Sequence, residues 1–420
     1  MEISIPYGNR TWTVQLPEKQ VAWVLEAADR PPVPDVAAAL RQALASPIGS
    51  PSLAELARQA KGEVVIVVDD GTRSTPQSVL LPILLDELNR AGVGDSRIVL
   101  LIALGTHRAM TPAEQEARFG RDVVSRVRVE NLEVHNPAAF VDLGTSPSGV
   151  PIQVARRLYE ASFSLAVGNI VPHMFTGFSG GSKMIQPGVC SPLTTGRTHL
   201  AAAPLVHQTL GQVENPIRSE LDLIGRRARL GFIVNTVLNR HNEVVEVVAG
   251  DMVAAHRKGV ETARAIFGVH VPEQPDIVLA GSYPADRDFW QGVKAFNAAG
   301  IAVRPGGEAI LVIPAPEGVT PDHPYFLEVG LRPISEVEAQ IRSGTCPDEV
   351  AAAAYIAWNV TRSKAHTTFV SEGIDAEAAR RIGADHAATV EEALDRALHR
   401  VGQGARIGVM PTAGELLPLL

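Results

Sequence analysis

The first candidate motif is the loop at residues 69–73 (DDGTR), which follows an apolar run at residues 64–68 and precedes a predicted helix. Backbone N–H groups at a helix start and the Arg73 guanidinium can bind phosphate or carboxylate. The Asp70 carboxylate and the Thr72 hydroxyl suit ribose hydroxyls or the orientation of a neighbouring side chain. The structural alternative is that Ser74 and Thr75 cap the helix beside a surface ion pair.

The second motif is the loop at residues 104–108 (LGTHR), which directly follows the apolar run at residues 98–103. An imidazole can act as an acid or a base near neutral pH, and a turn after a core strand is a common place for such a residue. The alternative is a structural histidine whose hydrogen bonds are satisfied. We expect His107 to lie at the same sheet edge as the first motif.

The third motif is glycine-rich and spans residues 168–188 (GNIVPHMFTGFSGGSKMIQPG). Glycines around a serine allow the backbone to approach an anionic group closely. Lys183 can contact phosphate or, if desolvated, act as a nucleophile. The spacing differs from that of a Walker phosphate-binding loop.

Two further histidines accompany the glycine-rich motif. His173 lies inside it, and His199 follows in a predicted helix. Imidazole is a good ligand for nickel, and the two cysteines of the chain are too few for a thiolate metal cluster. We therefore expect any metal to be held mainly by histidine.

A fourth motif begins a predicted helix at residues 288–295 (DFWQGVKA). Gln291 and Lys294 are three residues apart and share a helix face. Together with Arg73 they can hold a substrate carboxylate across a cleft. The alternative is an ordinary solvated helix start.

The elements that position these motifs alternate between strand-like apolar runs and helices. Such alternation is typical of α/β folds with parallel sheets covered by helices, which bind ligands at the carboxyl ends of their strands. We expect two α/β domains with the active site in the cleft between them. Residues 1–270 would form the cofactor-binding and catalytic domain, residues 275–403 would close over the substrate, and residues 404–420 would return to the first domain.

Composition limits the classes of function. The chain has 420 residues, of which 45% are hydrophobic, and a formal net charge of −8. Without a long Lys/Arg run, this charge argues against nucleic acid or an anionic membrane as a partner. The sequence contains no apolar run long enough to cross a bilayer and no basic segment followed by an apolar one at its start. We expect a cytoplasmic enzyme that acts on a small molecule.

Taken together, the four motifs and Thr198-His199 resemble the motif series of nickel-dependent lactate racemases, in order and spacing across both expected domains. The resemblance implies a nickel pincer nucleotide as the cofactor, of the pyridinium-3,5-bisthiocarboxylic acid mononucleotide type, with His199 as the nickel ligand. By the same resemblance, His107 and His173 are the paired acid and base, and Arg73, Gln291 and Lys294 bind the substrate. The residues that would hold the cofactor are Lys183, Asp70, Thr72, Gly177, Ser179, Gly180 and Gly181.

The implied reaction is racemisation or epimerisation of a 2-hydroxy acid. The hydrogen on the carbinol carbon is a very poor acid beside a carboxylate, whereas its removal as hydride, coupled to loss of the hydroxyl proton, gives a planar 2-keto acid. Return of hydride to the other face inverts the centre. The substrate stays open between lactate, a bulkier acid and a sugar acid, since Gly71, Ser182 and Trp290 depart from the lactate-type pattern. Proteins that make and insert the cofactor would be partners.

Two other functions remain open from the residues alone. A metal-dependent hydrolase or lyase would use His107, His173 and His199 as three ligands around a metal-bound water. A non-catalytic nucleotide-binding protein would explain the glycine-rich motif but not the two histidines opposite a lysine.

Overall fold

The computed structural model describes residues 1–420 as an α/β protein with two large sheets. The strands are β1 (Glu2–Tyr7), β2 (Arg10–Gln15), β3 (Val21–Val24), β4 (Val64–Asp69), β5 (Ile98–Ala103), β6 (Arg128–Asn131), β7 (Phe140–Thr145), β8 (Pro151–Ala155), β9 (Phe163–Asn169), β10 (Pro172–His173), β11 (Gly177–Phe178), β12 (Phe232–Leu238), β13 (Val244–Gly250), β14 (Gly268–His270), β15 (Ile277–Gly281), β16 (Gly307–Val312), β17 (Ala365–Val370), β18 (Asp385–Ala387), β19 (Ile407–Met410) and β20 (Leu417–Leu419).

The helices connect and cover these strands. They are α1 (Val36–Ala45), α2 (Leu53–Gln59), α3 (Gln77–Arg90), α4 (Pro112–Phe119), α5 (Arg121–Arg126), α6 (Arg156–Tyr159), α7 (Pro192–Ala202), α8 (Val206–Thr209), α9 (Pro216–Arg227), α10 (Ala254–Phe267), α11 (Phe289–Ala302), α12 (Tyr325–Val329), α13 (Ile334–Ser343), α14 (Glu349–Arg362), α15 (Ala376–Arg381) and α16 (Val390–Val401). None of the helices is long and apolar enough to cross a membrane.

The first sheet has the strand order β13-β12-β9-β4-β5-β6, and only β13 runs antiparallel to its neighbour. Its central strand β4 is fully buried along its length, and β5 nearly so. Continuous apolar runs of this kind are typical of parallel strands covered by helices on both faces. The first domain is the part of the chain built around this sheet.

The second sheet is entirely parallel, with the order β18-β17-β16-β15-β19-β3. The hairpin β1-β2 packs its apolar face against this sheet, where Ile3 and Ile5 join a core that includes Ile277 and Leu279. The second domain is the part of the chain built around this sheet. The expected class of fold, two α/β domains with parallel sheets, is confirmed.

The two ends of the chain differ from the expected domain assignment. Strand β19 does not return to the first domain, since it lies between β15 and β3 in the second sheet. Strand β3, near the start of the chain, is the edge of that same sheet, and β20 pairs with β14. The apolar pattern at residues 407–410 predicts a strand, but not which sheet it joins. We propose a revised division in which residues 1–24 and 407–410 belong to the second domain.

The four motifs begin where buried strands end. Residues 70–73 follow β4, residues 104–108 follow β5, and the glycine-rich motif begins inside β9. Because β5, β4 and β9 are parallel neighbours, their carboxyl ends meet at one sheet edge. Helix α11 follows β15 in the second sheet and brings the fourth motif to face that edge.

Candidate active site

His107 is held at both ring nitrogens by residues from different domains. Its Nδ1 lies 2.6 Å from the Asp70 carboxylate, and its Nε2 lies 2.9 Å from the amide nitrogen of Gln291. Burial alone would raise the pKa of Asp70, but His107, Arg73 and Thr72 more than offset it and hold the pKa well below the usual range. The ionised carboxylate accepts from Nδ1–H, so Nε2 presents its lone pair to the cavity.

Thr72 holds the Asp70 carboxylate through the oxygen that does not contact His107. Its hydroxyl donates to the other Asp70 carboxylate oxygen at 2.6 Å, and its backbone N–H donates to the same atom at 3.0 Å. Thr72 does not line the cavity. It therefore fixes the carboxylate that orients His107.

His173 carries the opposite hydrogen-bonding pattern. The backbone N–H of Phe175 donates to its Nδ1 at 3.2 Å, so a neutral ring carries its hydrogen on Nε2. Burial and the nearby ammonium groups of Lys183 and Lys294 lower the pKa of His173 well below its usual range. An anion bound against those ammonium groups would relieve this repulsion and raise the pKa again.

Lys183 is a buried amine in a cationic group with Arg73 and Lys294. Burial lowers its pKa well below the ordinary range, and repulsion from Arg73 and Lys294 adds to this effect. The same two causes, burial and Arg73, lower the pKa of Lys294 to about 7. Basic groups concentrated at one place favour the binding of anions, and Lys183 is a nucleophile when its amine is uncharged.

His199 projects from α7 into the same cavity. Its Nδ1 lies 2.8 Å from the Thr195 carbonyl oxygen one helical turn earlier, and this contact places the hydrogen on Nδ1. The lone pair of Nε2 is then free for a ligand. Burial lowers the pKa of His199 to about 4, so the ring is neutral, as metal binding requires.

The glycine-rich motif is fixed mainly by protein contacts. Gly177 and Gly181 do not line the cavity, and an added Cβ would lie 2.2 Å from the Gln212 carbonyl oxygen at Gly177 and 2.9 Å from His256 at Gly181. Both glycines have positive φ, so close packing and backbone conformation explain them. Gly180 and Ser179 do line the cavity, although the Ser179 hydroxyl donates to the Asn169 carbonyl oxygen at 2.8 Å.

The second domain supplies the remaining polar groups. Lys294 Nζ donates to Gln291 Oε1 at 2.7 Å, and the Gln291 amide donates to His107. The other second-domain residues that line the cavity are apolar: Phe289, Trp290, Val293, Phe326 and Ala354. The first domain thus lines the cleft with most of its polar groups together with apolar residues, and the second domain adds a largely apolar surface.

One cavity collects most of the residues singled out from the sequence. They are Asp70, Arg73, His107, His173, Ser179, Gly180, Lys183, His199, Gln291 and Lys294. The sequence reasoning missed Asn169, a buried residue at the end of β9 that lines the cavity. Its place at the end of a buried strand is a signal that could have identified it. It also missed Glu415, a carboxyl group that interacts with Lys294 and Arg73. Burial raises the pKa of Glu415, although those two cations lower it. Nothing in the local sequence indicates that Glu415 interacts with these residues.

The structure does not support a simple three-histidine metal site. No group of three or more His, Cys, Asp or Glu side chains is placed to hold a metal ion. The Nε2 of His107 is occupied by Gln291, and of these three histidines only His199 has a free Nε2 together with an Nδ1 fixed by a carbonyl oxygen. The hydrolase or lyase hypothesis therefore lacks its ligand set.

Comparison with protein families matches both parts of the chain. Residues 7–210 match the model of the lactate racemase N-terminal domain, and residues 271–415 match that of the lactate racemase C-terminal domain. The chain belongs to the lactate racemase family. Family membership, inferred above from the motif series, is therefore confirmed, and racemases are isomerases.

Individual members of the lactate racemase family resemble the chain along most of its length. A lactate racemase of Lactiplantibacillus plantarum is 31% identical over 97% of both chains, and one of Thermoanaerobacterium thermosaccharolyticum is 32% identical over 75% of both. The structure of the lactate racemase apoprotein from T. thermosaccharolyticum superposes with a TM-score of 0.89 at 28% identity and covers both chains completely. A Thermotoga maritima protein shares the fold, with a TM-score of 0.68 at 22% identity over 89% of this chain and 99% of its own.

The site has the features that a nickel pincer nucleotide requires of a protein. His199 offers a free Nε2, and the Lys183 amine lies beside it in the cavity wall and interacts with it electrostatically. Arg73 and Lys294 can neutralise anionic groups of a nucleotide and a hydroxy acid. These residues fit the cofactor that the motif series implies.

Proposed function

We propose that the protein is a racemase of 2-hydroxy acids that depends on a nickel pincer nucleotide. The observation that carries this proposal is the convergence in one cavity of two histidines, a half-buried lysine whose amine makes no hydrogen bond, and a histidine with a free Nε2. Opposite them, the second domain presents a pair of side chains suited to one carboxylate, Gln291 and Lys294.

In this proposal the first domain holds the cofactor. His199 Nε2 would ligate nickel, and Lys183 would bind the nucleotide or bond to it covalently through its uncharged amine. Asp70, Ser179 and Gly180 would face the ribose and phosphate, with Thr72 acting through Asp70. When bound, the cofactor supplies an acceptor for hydride, so that the substrate passes through a 2-keto acid.

The histidines move the hydroxyl proton. His107 accepts it at Nε2 once substrate displaces the Gln291 amide, and the Asp70 carboxylate stabilises the resulting imidazolium. His173 would return a proton from Nε2 to the keto oxygen once the other face has received hydride. An anionic substrate beside Lys183 and Lys294 raises the pKa of His173, so that the ring can take a second proton from solvent at Nδ1 when the Phe175 N–H no longer donates there.

The second domain would select the substrate. Gln291 and Lys294, together with Arg73, are suited to one carboxylate, and the remaining second-domain lining is apolar. This wall favours a 2-hydroxy acid with an uncharged, apolar side chain over a sugar acid or a dicarboxylate, which would leave polar groups unpaired. Lactate, the substrate named in the two relatives, is the smallest acid of this kind. Proteins that make and insert the cofactor would be partners.

The test is purification from a host that makes the pincer cofactor, followed by measurement of nickel per chain and of chiral interconversion. The panel contains lactate, 2-hydroxy acids with larger apolar side chains, a dicarboxylic hydroxy acid and a sugar acid. We expect about one nickel per chain, inversion of apolar members of the panel, and loss of both in His199→Ala. The matched control is His207→Ala, because His207 bonds to Thr361 outside the cavity.

The outcomes separate the parts of the proposal. Nickel without inversion of any panel member would contradict the racemase assignment while leaving the cofactor in place. Protein that carries neither nickel nor nucleotide when produced in that host would contradict the cofactor assignment. Inversion confined to the sugar acid or dicarboxylate would contradict the substrate class alone.

A further inference from the structure

His323 makes three contacts beside the active site, one of which crosses to the first domain. It lies between β16 and α12 of the second domain, and its side chain is 13% exposed. Its Nδ1 is 2.7 Å from the Asp348 carboxylate, and its Nε2 is 3.1 Å from the carbonyl oxygen of Thr106 in the first domain. The Trp290 indole stacks on the ring, with centroids 4.4 Å apart and planes 18° apart.

The partners of His323 are both hydrogen-bond acceptors. The Asp348 carboxylate faces Nδ1 and the Thr106 carbonyl oxygen faces Nε2, so each ring nitrogen is placed to donate. The Trp290 indole covers one face of the ring. Burial would raise the pKa of Asp348, but the hydrogen bond from His323 and two backbone N–H groups lower it overall.

Two contacts of His323 are made by residues next to His107 and Gln291, which hydrogen-bond to each other. Thr106 precedes His107, and Trp290 precedes Gln291. His323 therefore holds the loop that carries His107 and the helix start that carries Gln291 at the same time. A shift of either would change the 2.9 Å contact between His107 Nε2 and the Gln291 amide.

Other contacts across the cleft are compatible with this arrangement but do not replace it. The Arg108 backbone N–H donates to Asp322 at 3.2 Å, and Arg197 pairs with Glu349 at 2.9 Å. The first involves the residues next to His107 and His323, whereas the second joins α7 to α14. Arg197 is 41% exposed, so its pairing with Glu349 is screened by solvent, and the Arg108 contact is a single hydrogen bond from a backbone N–H group.

We propose that His323, supported by Asp348, is a positioning residue that latches the second domain over the cavity and sets the placement of His107 against Gln291. Asp348 is suited to the supporting role because its other carboxylate oxygen caps α14 by accepting from the backbone N–H groups of Val350 and Ala351. The latch thus links loop 104–108, α11 and α14. Its effect on catalysis rests on the proposed function of His107, whereas its effect on domain closure does not.

The experiment compares His323→Gln with His366→Gln. His366 is also paired with an aspartate, Asp385, at 3.2 Å, but it lies on β17 and makes no hydrogen bond to the first domain. On the apoprotein we would measure tryptophan fluorescence and the radius of gyration by small-angle X-ray scattering. On cofactor-loaded enzyme we would measure kcat and KM for an inverted 2-hydroxy acid. Asp348→Asn, which retains the oxygen that caps α14, serves as a second variant if His323→Gln does not fold.

We expect His323→Gln to change the tryptophan fluorescence, because the ring that stacks on Trp290 is removed, and to have no such effect in a Trp290→Phe background. The radius of gyration should increase and kcat/KM should fall about tenfold or more, since small misplacements of catalytic groups are costly. His366→Gln should leave all four quantities unchanged. If kcat and KM of the two variants agree, the latch does not position His107. If the loaded wild-type enzyme inverts no 2-hydroxy acid, the proposed function fails. Independently of that result, an unchanged radius of gyration in His323→Gln would overturn the proposal that His323 holds the domains together.

Discussion

Lys294 shows how a single residue can make substrate binding depend on pH. Burial, followed by repulsion from Arg73, lowers its pKa from 10.5 to about 7, although Glu415 and Asp288 act in the opposite direction. Its ammonium donates to Gln291, so it sits where we propose that the substrate carboxylate binds. The carboxylate interacts most strongly with the charged form, which is populated below the pKa.

The first prediction concerns this charge. Above pH 7 the ligand-free lysine loses its proton, so KM for the 2-hydroxy acid should rise with pH, by up to about tenfold per unit. Lys294→Met should have a higher KM at low pH that no longer changes in this window. Steady-state kinetics of loaded enzyme between pH 6 and 9 would measure both. A wild-type KM that is flat or falls across this range would contradict the prediction.

Helix α9 shows how one element fixes the glycine-rich motif. Arg218 on this helix is fully buried and donates to the carbonyl oxygens of Thr176 at 3.2 Å and Gly180 at 3.3 Å, and also to that of Phe178. A planar guanidinium can serve several carbonyl groups at once. The motif that carries Lys183 is therefore held in place by a cation about forty residues away in sequence.

The second prediction follows from these carbonyl groups. Arg218→Met would leave several buried acceptors unsatisfied, so the free energy of unfolding should fall by about 3 kcal/mol or more. Arg226→Met is the matched control on the same helix, because Arg226 is 54% exposed and pairs with Asp251 near the surface. The control should change stability by no more than about 0.5 kcal/mol. Urea denaturation of the apoprotein would measure the difference, and equal costs would contradict it.

At the scale of elements, the periodicity of apolar residues correctly predicts individual strands and helices. The apolar run at residues 98–103 is strand β5, and the helix predicted after the first motif is α3 (Gln77–Arg90). Periodicity identifies such elements because it reflects burial on a strand or a helix face. It does not identify partners: residues 407–410 form the expected strand but in the second sheet, because strand pairing depends on distant parts of the chain.

At the scale of the whole molecule, the two domains meet where α7 packs closely against α14. These helices belong to different domains, and α7 carries His199. Gly196 lies where they meet, and an added Cβ would be 2.8 Å from Cβ of Glu349. The absence of a side chain at this position lets the helices approach each other.

The third prediction uses this contact. In an isolated helix, Gly196→Ala would be stabilising by about 1 kcal/mol, but here it should separate the domains. We expect a larger radius of gyration and a lower kcat/KM, with the fold of each domain preserved. Gly94→Ala is the control, because a Cβ at Gly94 would meet no atom within 4 Å. Small-angle scattering and kinetics would test the pair, and a Gly196→Ala protein that is more stable and fully active would contradict the prediction.

The sequence by itself determined the fold class, the family and the types of residue that meet in the cavity, because strand ends and motif spacing are local properties. It could not determine which glycines face a ligand: Gly177 and Gly181 pack against Gln212 and His256 instead. Only the tertiary structure decided the hydrogen-bonding state of His107, the role of Arg218 and the interdomain contacts of His323. Each of these depends on a partner far away along the chain, and such partners are set by packing rather than by local pattern.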